Sequence, residues 1–156
     1  MNLQIKLIVL LLLVGLWSCG SGSEKATDSE PPQSMVEEPA DPYANWENNN
    51  GVGPISSLEL PAEIDQAMAE EGKSIYETKC TLCHKLDKKF IGPSPKGIYE
   101  RRTAAWTMNM ILNPEEMVQK DPIAKQLLID YNGSPMANQN LTQEEARAVV
   151  EYFRTL

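Results

Sequence analysis

The sequence predicts an all-α fold: a small helical domain over residues 61–156 that follows a signal peptide and a disordered linker. Two observations indicate this class. Apolar residues recur at helical spacing in several segments, and residues typical of helix starts precede those segments. No run of the sequence alternates apolar and polar residues in the way that predicts a half-buried strand. A domain of this length can form one small hydrophobic core.

The first predicted helix begins at Pro61 and leads into Cys80. Its apolar positions are Ile64, Met68, Ile75 and Tyr76. The same helix contains Gly72, although a glycine inside a helix costs roughly 1 kcal/mol relative to alanine. We therefore expect another helix to approach Gly72 closely, and the C-terminal segment is a candidate.

Three further helices are predicted in the middle of the domain. One is expected within residues 103–112. Two more starts are indicated by Asn113 before Pro114 and by Asp121 before Pro122. In each case a side chain that can cap a helix precedes a proline at the first helical position.

The last predicted helix has the strongest start signal. Thr142 and Glu145 stand at the spacing of a capping box, in which each side chain bonds the backbone of the other residue. Apolar residues then follow at helical spacing, namely Ala146, Val149, Val150, Phe153 and Leu156.

The first residues have the charged, apolar and small-residue zones of an export signal, predicted as residues 1–18. Their apolar run is shorter than the roughly 20 residues that cross a bilayer. Residues 16–19, Leu-Trp-Ser-Cys, resemble the lipobox of bacterial lipoproteins. This resemblance implies that Cys19 is acylated and becomes the mature N-terminus; the alternative is an ordinary cleaved signal with an unrelated cysteine. The expected location is the cell envelope, lipid-anchored to a membrane and facing the periplasm.

Residues 19–60 are predicted to be a lipid-anchored, disordered, acidic linker, because they are rich in proline and polar residues and have no apolar period. Eight acidic residues against the single Lys25 give this linker a net charge of −7, within a chain of net charge −8. The folded part is therefore close to neutral. Tyr43 and Trp46 are exceptions to the polar run. They are either exposed aromatic residues or docking contacts with the domain or a partner.

Residues 80–84 read Cys-Thr-Leu-Cys-His, and this spacing predicts covalent attachment of one haem c. The thiols of Cys80 and Cys83 can each add to one haem vinyl group, and His84 then lies under the iron. A redox dithiol would require a thioredoxin-like strand before it, and a zinc site would require a second pair of cysteine or histidine ligands. His84 is the only histidine of the chain and Cys19 is the only other cysteine. The chain therefore lacks the additional features that either alternative requires.

The sixth iron ligand stays open at this point. With one histidine in the chain, ligation by two histidines is excluded. A methionine sulfur, an open position or a weaker donor such as lysine remain.

Residues 61–156 resemble the class I c-type cytochromes. The features that carry the resemblance stand in the family's order: Gly72 and Tyr76, the haem motif, Ile91-Gly92-Pro93, Ser134-Pro135-Met136, and Tyr152 in the last helix. The resemblance implies that the first and last helices cross where the glycine and the aromatic residues meet. It also implies that the carbonyl of Pro93 accepts a hydrogen bond from the His84 ring. The alternative for Gly92 and Pro93 is a plain turn.

Met136 is the methionine that we expect to bind the iron, on its position and the family pattern together. It follows a proline in a late loop, whereas four others of the seven methionines fall in helical patterns where core packing is expected. These four are Met68, Met108, Met110 and Met117. Ala137 stands where some relatives have a second proline.

Arg101, Arg102 and Trp106 are candidates for binding the anionic haem propionates, through arginine N–H groups or the indole N–H. The alternative is a solvated arginine pair and a core tryptophan. Three lysines close to the haem motif are expected either to surround an exposed haem edge and attract an acidic partner or to be simply solvated. These are Lys85, Lys88 and Lys89.

The expected function is a one-electron carrier that works between redox proteins of the membrane or periplasm. We expect no enzyme activity, no nucleic acid and no small-molecule substrate, since the sequence has no nucleotide-binding loop and no nucleophile with a base. Two alternatives remain. One is an electron-delivering subunit of a terminal oxidase or a denitrification reductase. The other is a haem peroxidase or gas sensor with an open iron position.

Overall fold

The computed structural model describes residues 41–156. The predicted signal peptide, Cys19 and the linker up to residue 40 lie outside the described residues. The described part contains five α-helices, two short 3₁₀ turns and no strand, which confirms the all-α prediction. The helices are α1 (Gln66–Lys79), α2 (Ala104–Leu112), α3 (Pro114–Lys120), α4 (Pro122–Asp130) and α5 (Gln143–Phe153), and the turns are Trp46–Asn48 and Ile98–Glu100. No helix in this range is long and apolar enough to cross a membrane.

The first helix starts later than predicted. Helix α1 begins at Gln66, and the Asp65 side chain caps it by accepting a hydrogen bond from the Met68 N–H at 3.0 Å. The predicted start at Pro61 is wrong because Leu60, which precedes it, has no side-chain acceptor for a first-turn N–H. The backbone carbonyls just before α1 instead accept hydrogen bonds from the Arg154 guanidinium.

The middle helices begin where the sequence predicted. The Asp121 side chain accepts from the Ala124 N–H at 2.8 Å, so the predicted cap of α4 is confirmed. Asn113 precedes α3 but makes no side-chain cap, because its amide group donates to the Glu116 carboxylate at 2.7 Å. Proline at the first position is sufficient for α3 to start there.

Helices α1 and α5 cross in close contact, as the glycine predicted. A methyl group added to Gly72 would overlap the backbone carbonyl of Ala148 on α5. One turn further along, the Tyr76 ring lies 5.6 Å from the Tyr152 ring and 5.8 Å from the Phe153 ring, centroid to centroid. The capping box of α5 is also present, which confirms the predicted start. These contacts fix the helix that leads into the haem motif against the C-terminal helix.

A buried carboxylate reinforces this crossing. The side chain of Glu151 is 1% exposed and forms ion pairs with Arg147 at 2.6 Å and Arg154 at 2.5 Å. It also accepts a hydrogen bond from the Asp65 N–H at 2.9 Å. Burial by itself raises the pKa of Glu151, but the hydrogen bonds from Arg147 and Asp65 and the charges of both arginines hold it below its usual value.

Two apolar clusters make up the core. The first joins α2 to α5 and contains Ala104, Met108, Ile111, Ala146, Val149 and Val150. The second joins α2 to α3 and α4 and contains Trp106, Met117, Ile123 and Ala124. Met108 and Met117 therefore pack in the core, as their helical positions predicted.

Residues 41–60, here called the N-terminal segment, differ from the predicted disordered linker because they pack against the helices. The main anchor is Asn109 on α2, whose side chain is fully buried. Its amide group donates to the carbonyls of Asn50 and Ile55, both at 2.8 Å, and its oxygen accepts from the Ile55 N–H at 3.0 Å. These are bonds to backbone groups, so composition and periodicity gave no sign of them.

The N-terminal segment also touches the second cluster. Tyr43 and Trp46 pack against it, so the docking alternative for these two aromatic residues is the correct one. Gly51 has φ +75°, and a methyl group there would lie 2.8 Å from the sulfur of Met117 and 3.2 Å from the Trp106 ring. Only glycine combines this backbone conformation with such close packing. The folded unit therefore begins upstream of the predicted boundary at residue 61.

Candidate haem site

The haem motif lies at the C-terminal end of α1, at the edge of a largely apolar cavity. Cys80 ends the helix, and its carbonyl accepts hydrogen bonds from the N–H groups of Cys83 at 3.1 Å and His84 at 2.9 Å. This tight turn brings both sulfurs and the imidazole to the same cavity. Burial, with a smaller contribution from Cys83, raises the pKa of the Cys80 thiol to about 11. Both cysteines are free thiols here.

The ring of His84 is fixed by the segment that follows the motif. Its Nδ1 lies 2.7 Å from the carbonyl oxygen of Pro93, the contact that the resemblance implied. The Gly92 N–H donates to the Cys83 carbonyl at 2.8 Å, and a methyl group on Gly92 would overlap the imidazole. Gly92 therefore lets the backbone approach the ring closely enough for Pro93 to orient it.

Met136 lines the same cavity, from the loop that joins α4 to α5. One other methionine of the described residues, Met110, lines it as well. Met110 packs against the second cluster, as expected, although its side chain is only partly buried. It lies one helical turn after Trp106, which also lines the cavity, so the i, i+4 spacing was a signal for its placement.

Arg101 and Arg102 both lie on the cavity wall, with different environments. The Arg101 guanidinium is held by three backbone carbonyls, those of Ser94 at 2.6 Å, Gly97 at 2.7 Å and Lys96 at 3.1 Å. Arg102 is 7% exposed, and its Nε is buried without a hydrogen-bond partner. Burial lowers the pKa of the Arg102 guanidinium, which is the expected effect of removing a cation from water.

Trp106 lines the cavity but does not offer its N–H to it. The indole Nε1 donates to the Asp121 carboxylate at 3.0 Å, in a buried hydrogen bond. The expectation that this N–H would bind a propionate is therefore wrong, because a carboxylate within the domain already accepts it. Trp106 contributes the apolar surface of its ring.

Apolar and cationic residues surround the motif on the outside. Leu82 is 80% exposed, Phe90 48% and Ile91 46%. Lys85 and Lys89 are not simply solvated, since each ammonium group donates to a backbone carbonyl, at 2.9 Å and 2.7 Å. This face combines exposed apolar side chains with fixed positive charge.

The residues around the cavity fit a covalent haem. Two free thiols and one oriented imidazole meet at the end of α1, and the walls are mostly apolar. An arginine with an unpartnered N–H lies on the wall as well, and the anionic edge of a haem can supply an acceptor. A haem, which is the group that the two thiols predict, would therefore explain why the Nε of Arg102 is buried without a partner in the protein.

Known proteins match the chain over the same region. The family model described as cytochrome c matches residues 69–156. The cytochrome c-551 of Stutzerimonas stutzeri is 25% identical over 108 residues, which is 66% of this chain and 93% of that protein. The solved cytochrome c from Rhodothermus marinus is 42% identical with a TM-score of 0.63, covering 66% of this chain and 88% of that one. An engineered form of the Rhodothermus protein is 39% identical with a TM-score of 0.64, covering 74% and 96%.

Proposed function

Because the chain belongs to the cytochrome c family, whose members transfer electrons through haem, we propose that it is a one-electron carrier between protein redox partners. The observation that carries this proposal is that His84 and Met136 line one cavity. If His84 and Met136 supply an imidazole and a thioether to a haem iron, this pair would favour a comparatively high reduction potential.

The cofactor is one covalent haem c. Cys80 and Cys83 hold it by thioether bonds. Each sulfur bonds to one carbon of a vinyl group, and the thiol hydrogen ends on the other carbon. The haem supplies an iron that changes its oxidation state by one electron. The chain supplies the attachment, the axial ligands and the apolar walls that exclude water.

His84 offers its Nε2 to the iron. The Pro93 carbonyl lies 2.7 Å from Nδ1, so Nδ1 carries the proton and Nε2 keeps its lone pair. Met136 is the proposed sixth ligand. Its thioether would occupy the iron position opposite His84 and so keep small ligands out, as a carrier requires.

The experiment that tests the carrier compares two methionines that share the cavity. Wild-type ferrous protein should bind carbon monoxide poorly at neutral pH, and the ferric protein should show the weak far-red sulfur-to-iron charge-transfer band. Met136→Ala should lose the band, bind carbon monoxide readily and have a lower reduction potential, because a soft donor that favours ferrous iron has gone. Met110→Leu is the matched control and should keep the band.

Two other results would change the assignment. If Met110→Leu abolishes the band and Met136→Ala keeps it, Met110 is the ligand. If the unmutated protein binds carbon monoxide rapidly, the iron position is open, and a haem peroxidase or gas sensor is then the better hypothesis. Stable co-purification with a terminal oxidase or a denitrification reductase would instead make the chain an electron-delivering subunit.

The proposed location is the cell envelope, where a lipid on Cys19 would anchor the protein to a membrane, facing the periplasm. The lipobox-like residues 16–19 and the preceding apolar run support this location. Cys19→Ser should give a product without an acyl group that retains an uncleaved or differently cleaved signal, which mass spectrometry detects, with the haem domain still folded. Wild-type protein that is soluble after export and has no acyl mass at its N-terminus would contradict the proposal.

A further inference from the structure

The guanidinium of Arg102 lies in an unusual environment. Among the buried side-chain nitrogens and oxygens of residues 41–156, its Nε is the only one without a hydrogen-bond partner. One of its terminal nitrogens donates to the backbone carbonyl of Arg101. A buried N–H of a charged group that has no acceptor is costly, so natural proteins rarely leave one without a ligand or another reason.

Arg102 lies where the haem cavity meets a shallow cleft on the surface. It lines both, together with Arg101. The cleft also includes Lys89 and Asp130, so three cationic side chains face one carboxylate there. An anionic ligand group at this junction would be favoured, and the two propionates of a haem are the anions that the proposed cofactor brings.

Two aromatic rings position the guanidinium. Its central carbon lies over the Trp106 ring at 5.2 Å from the centroid and over the Tyr43 ring at 4.9 Å. Trp106 is itself held by its hydrogen bond to Asp121 at 3.0 Å. The contacts are in the range of cation–π interactions, which strengthen when the cation is desolvated.

The ring of Tyr43 is held in turn by α4. Its hydroxyl donates to the Asp130 carboxylate at 2.6 Å. Burial and this hydrogen bond raise the pKa of Tyr43 well above its ordinary value, which favours the protonated hydroxyl that donates to Asp130. Tyr43 also lies outside residues 69–156, the range over which the cytochrome c family model matches the chain.

We propose that Tyr43 is a positioning residue of the haem site: it holds the Arg102 guanidinium so that its unpartnered N–H faces the anionic edge of the haem. This inference rests on the proposed haem site and goes beyond it, because it makes the N-terminal segment part of that site. A cation held close to the haem stabilises ferrous iron, which has one positive charge fewer than ferric iron. Tyr43 should therefore raise the reduction potential through Arg102.

The test measures the reduction potential of haem-loaded full-length variants. Tyr43→Leu should lower the potential and make it more sensitive to salt, because a released, hydrated guanidinium interacts more weakly and is screened more. Tyr43→Phe should lower the potential less than Tyr43→Leu does, since it keeps the ring beside the guanidinium and loses only the bond to Asp130. Ile55→Ala loosens the same segment at a position that lies away from Arg102. This variant should lower stability and leave the potential unchanged.

The double variant decides whether Tyr43 acts through Arg102. In an Arg102→Leu background, Tyr43→Leu should cause no further shift. An equal downward shift in both backgrounds, or a shift in Ile55→Ala as large as in Tyr43→Leu, would overturn the inference. Failure of the haem site itself has a different signature. The wild-type haem would then be extracted by acidified organic solvent, whereas covalent haem stays with the denatured protein.

Discussion

Replacing Asn109 by alanine is expected to detach the N-terminal segment from the helices. The Asn109 side chain is fully buried and makes three hydrogen bonds to backbone groups of Asn50 and Ile55, at 2.8, 2.8 and 3.0 Å. Alanine offers no partner to these two carbonyls and one N–H. They must either stay buried and unpaired or be hydrated by opening of the segment.

The expected loss follows from these bonds. Each contributes about 0.5–1.5 kcal/mol net, so three contribute roughly 1.5–4.5 kcal/mol to the free energy of unfolding. The loss cannot exceed the free energy with which the N-terminal segment docks, because the segment can detach and let water bind the freed backbone groups. A loss of about 2–4 kcal/mol is large for a small domain and lowers the melting temperature by roughly 10 °C or more.

Denaturant unfolding of the haem-loaded protein, followed by circular dichroism, measures this loss. Asn138→Ala is the matched control: Asn138 is exposed, and its side chain donates to the Leu112 carbonyl at 3.3 Å and accepts from the Asn140 N–H at 2.8 Å. Because water can replace both bonds, the loss should be about 1 kcal/mol or less. A glutamate-specific protease should also cut Asn109→Ala faster at Glu47 or Glu59. If Asn109→Ala matches the control in stability and in cleavage rate, Asn109 does not hold the segment.

Three further substitutions test the crossing and the imidazole. Gly72→Ala should lower the free energy of unfolding by about 1–3 kcal/mol or more, because the new methyl meets backbone of α5, whereas Ser74→Ala on the exposed side of α1 should be neutral or slightly stabilising. Gly92→Ala should tilt the His84 ring and change the visible spectrum of the haem, which absorption spectroscopy detects. The folded pKa of Glu151 is depressed, so the stability it provides is present above its unfolded pKa of about 4.3 and is lost as the pH falls through the folded value. In Glu151→Gln, the free energy of unfolding should depend less on pH in the acidic range, as measured by denaturation at a series of pH values.

The parts of the fold that the sequence predicted correctly depend on residues close together in the chain. A cap at Asp121 or Thr142 acts on an N–H three residues away, so its signal is complete within one helical turn. The haem motif is equally local, since its spacing alone places both thiols and the imidazole at one edge of the cofactor. Gly72 is an intermediate case. Its cost in a helix indicated a close neighbour, and the resemblance supplied which one.

The parts that the sequence did not predict depend on distant partners. Asn109 bonds backbone carbonyls more than fifty residues away, and backbone groups are the same in every sequence. The Trp106 N–H was a candidate for the haem propionates because these are anionic. Nothing local indicated that Asp121, 15 residues further along and already a helix cap, accepts it. Met110 packs against the core as expected, but its place on the cavity wall was not expected, because helical spacing identifies a buried face and not what that face is buried against.

A single carboxylate connects the N-terminal segment to the wall of the haem cavity. Asp121 accepts hydrogen bonds from the Asn49 amide at 2.6 Å, the Trp106 indole at 3.0 Å and the Ala124 N–H at 2.8 Å. It thus joins the segment, the cavity-lining ring of α2 and the start of α4. A chain shortened to residues 61–156 keeps every residue of the haem motif but loses Asn49 and the Tyr43 ring beside Arg102. Because these contacts meet at one wall of the cavity, the proposed role of Tyr43 requires the N-terminal segment to stay docked, and a chain that begins at residue 61 should show a lower reduction potential even where its haem motif is intact.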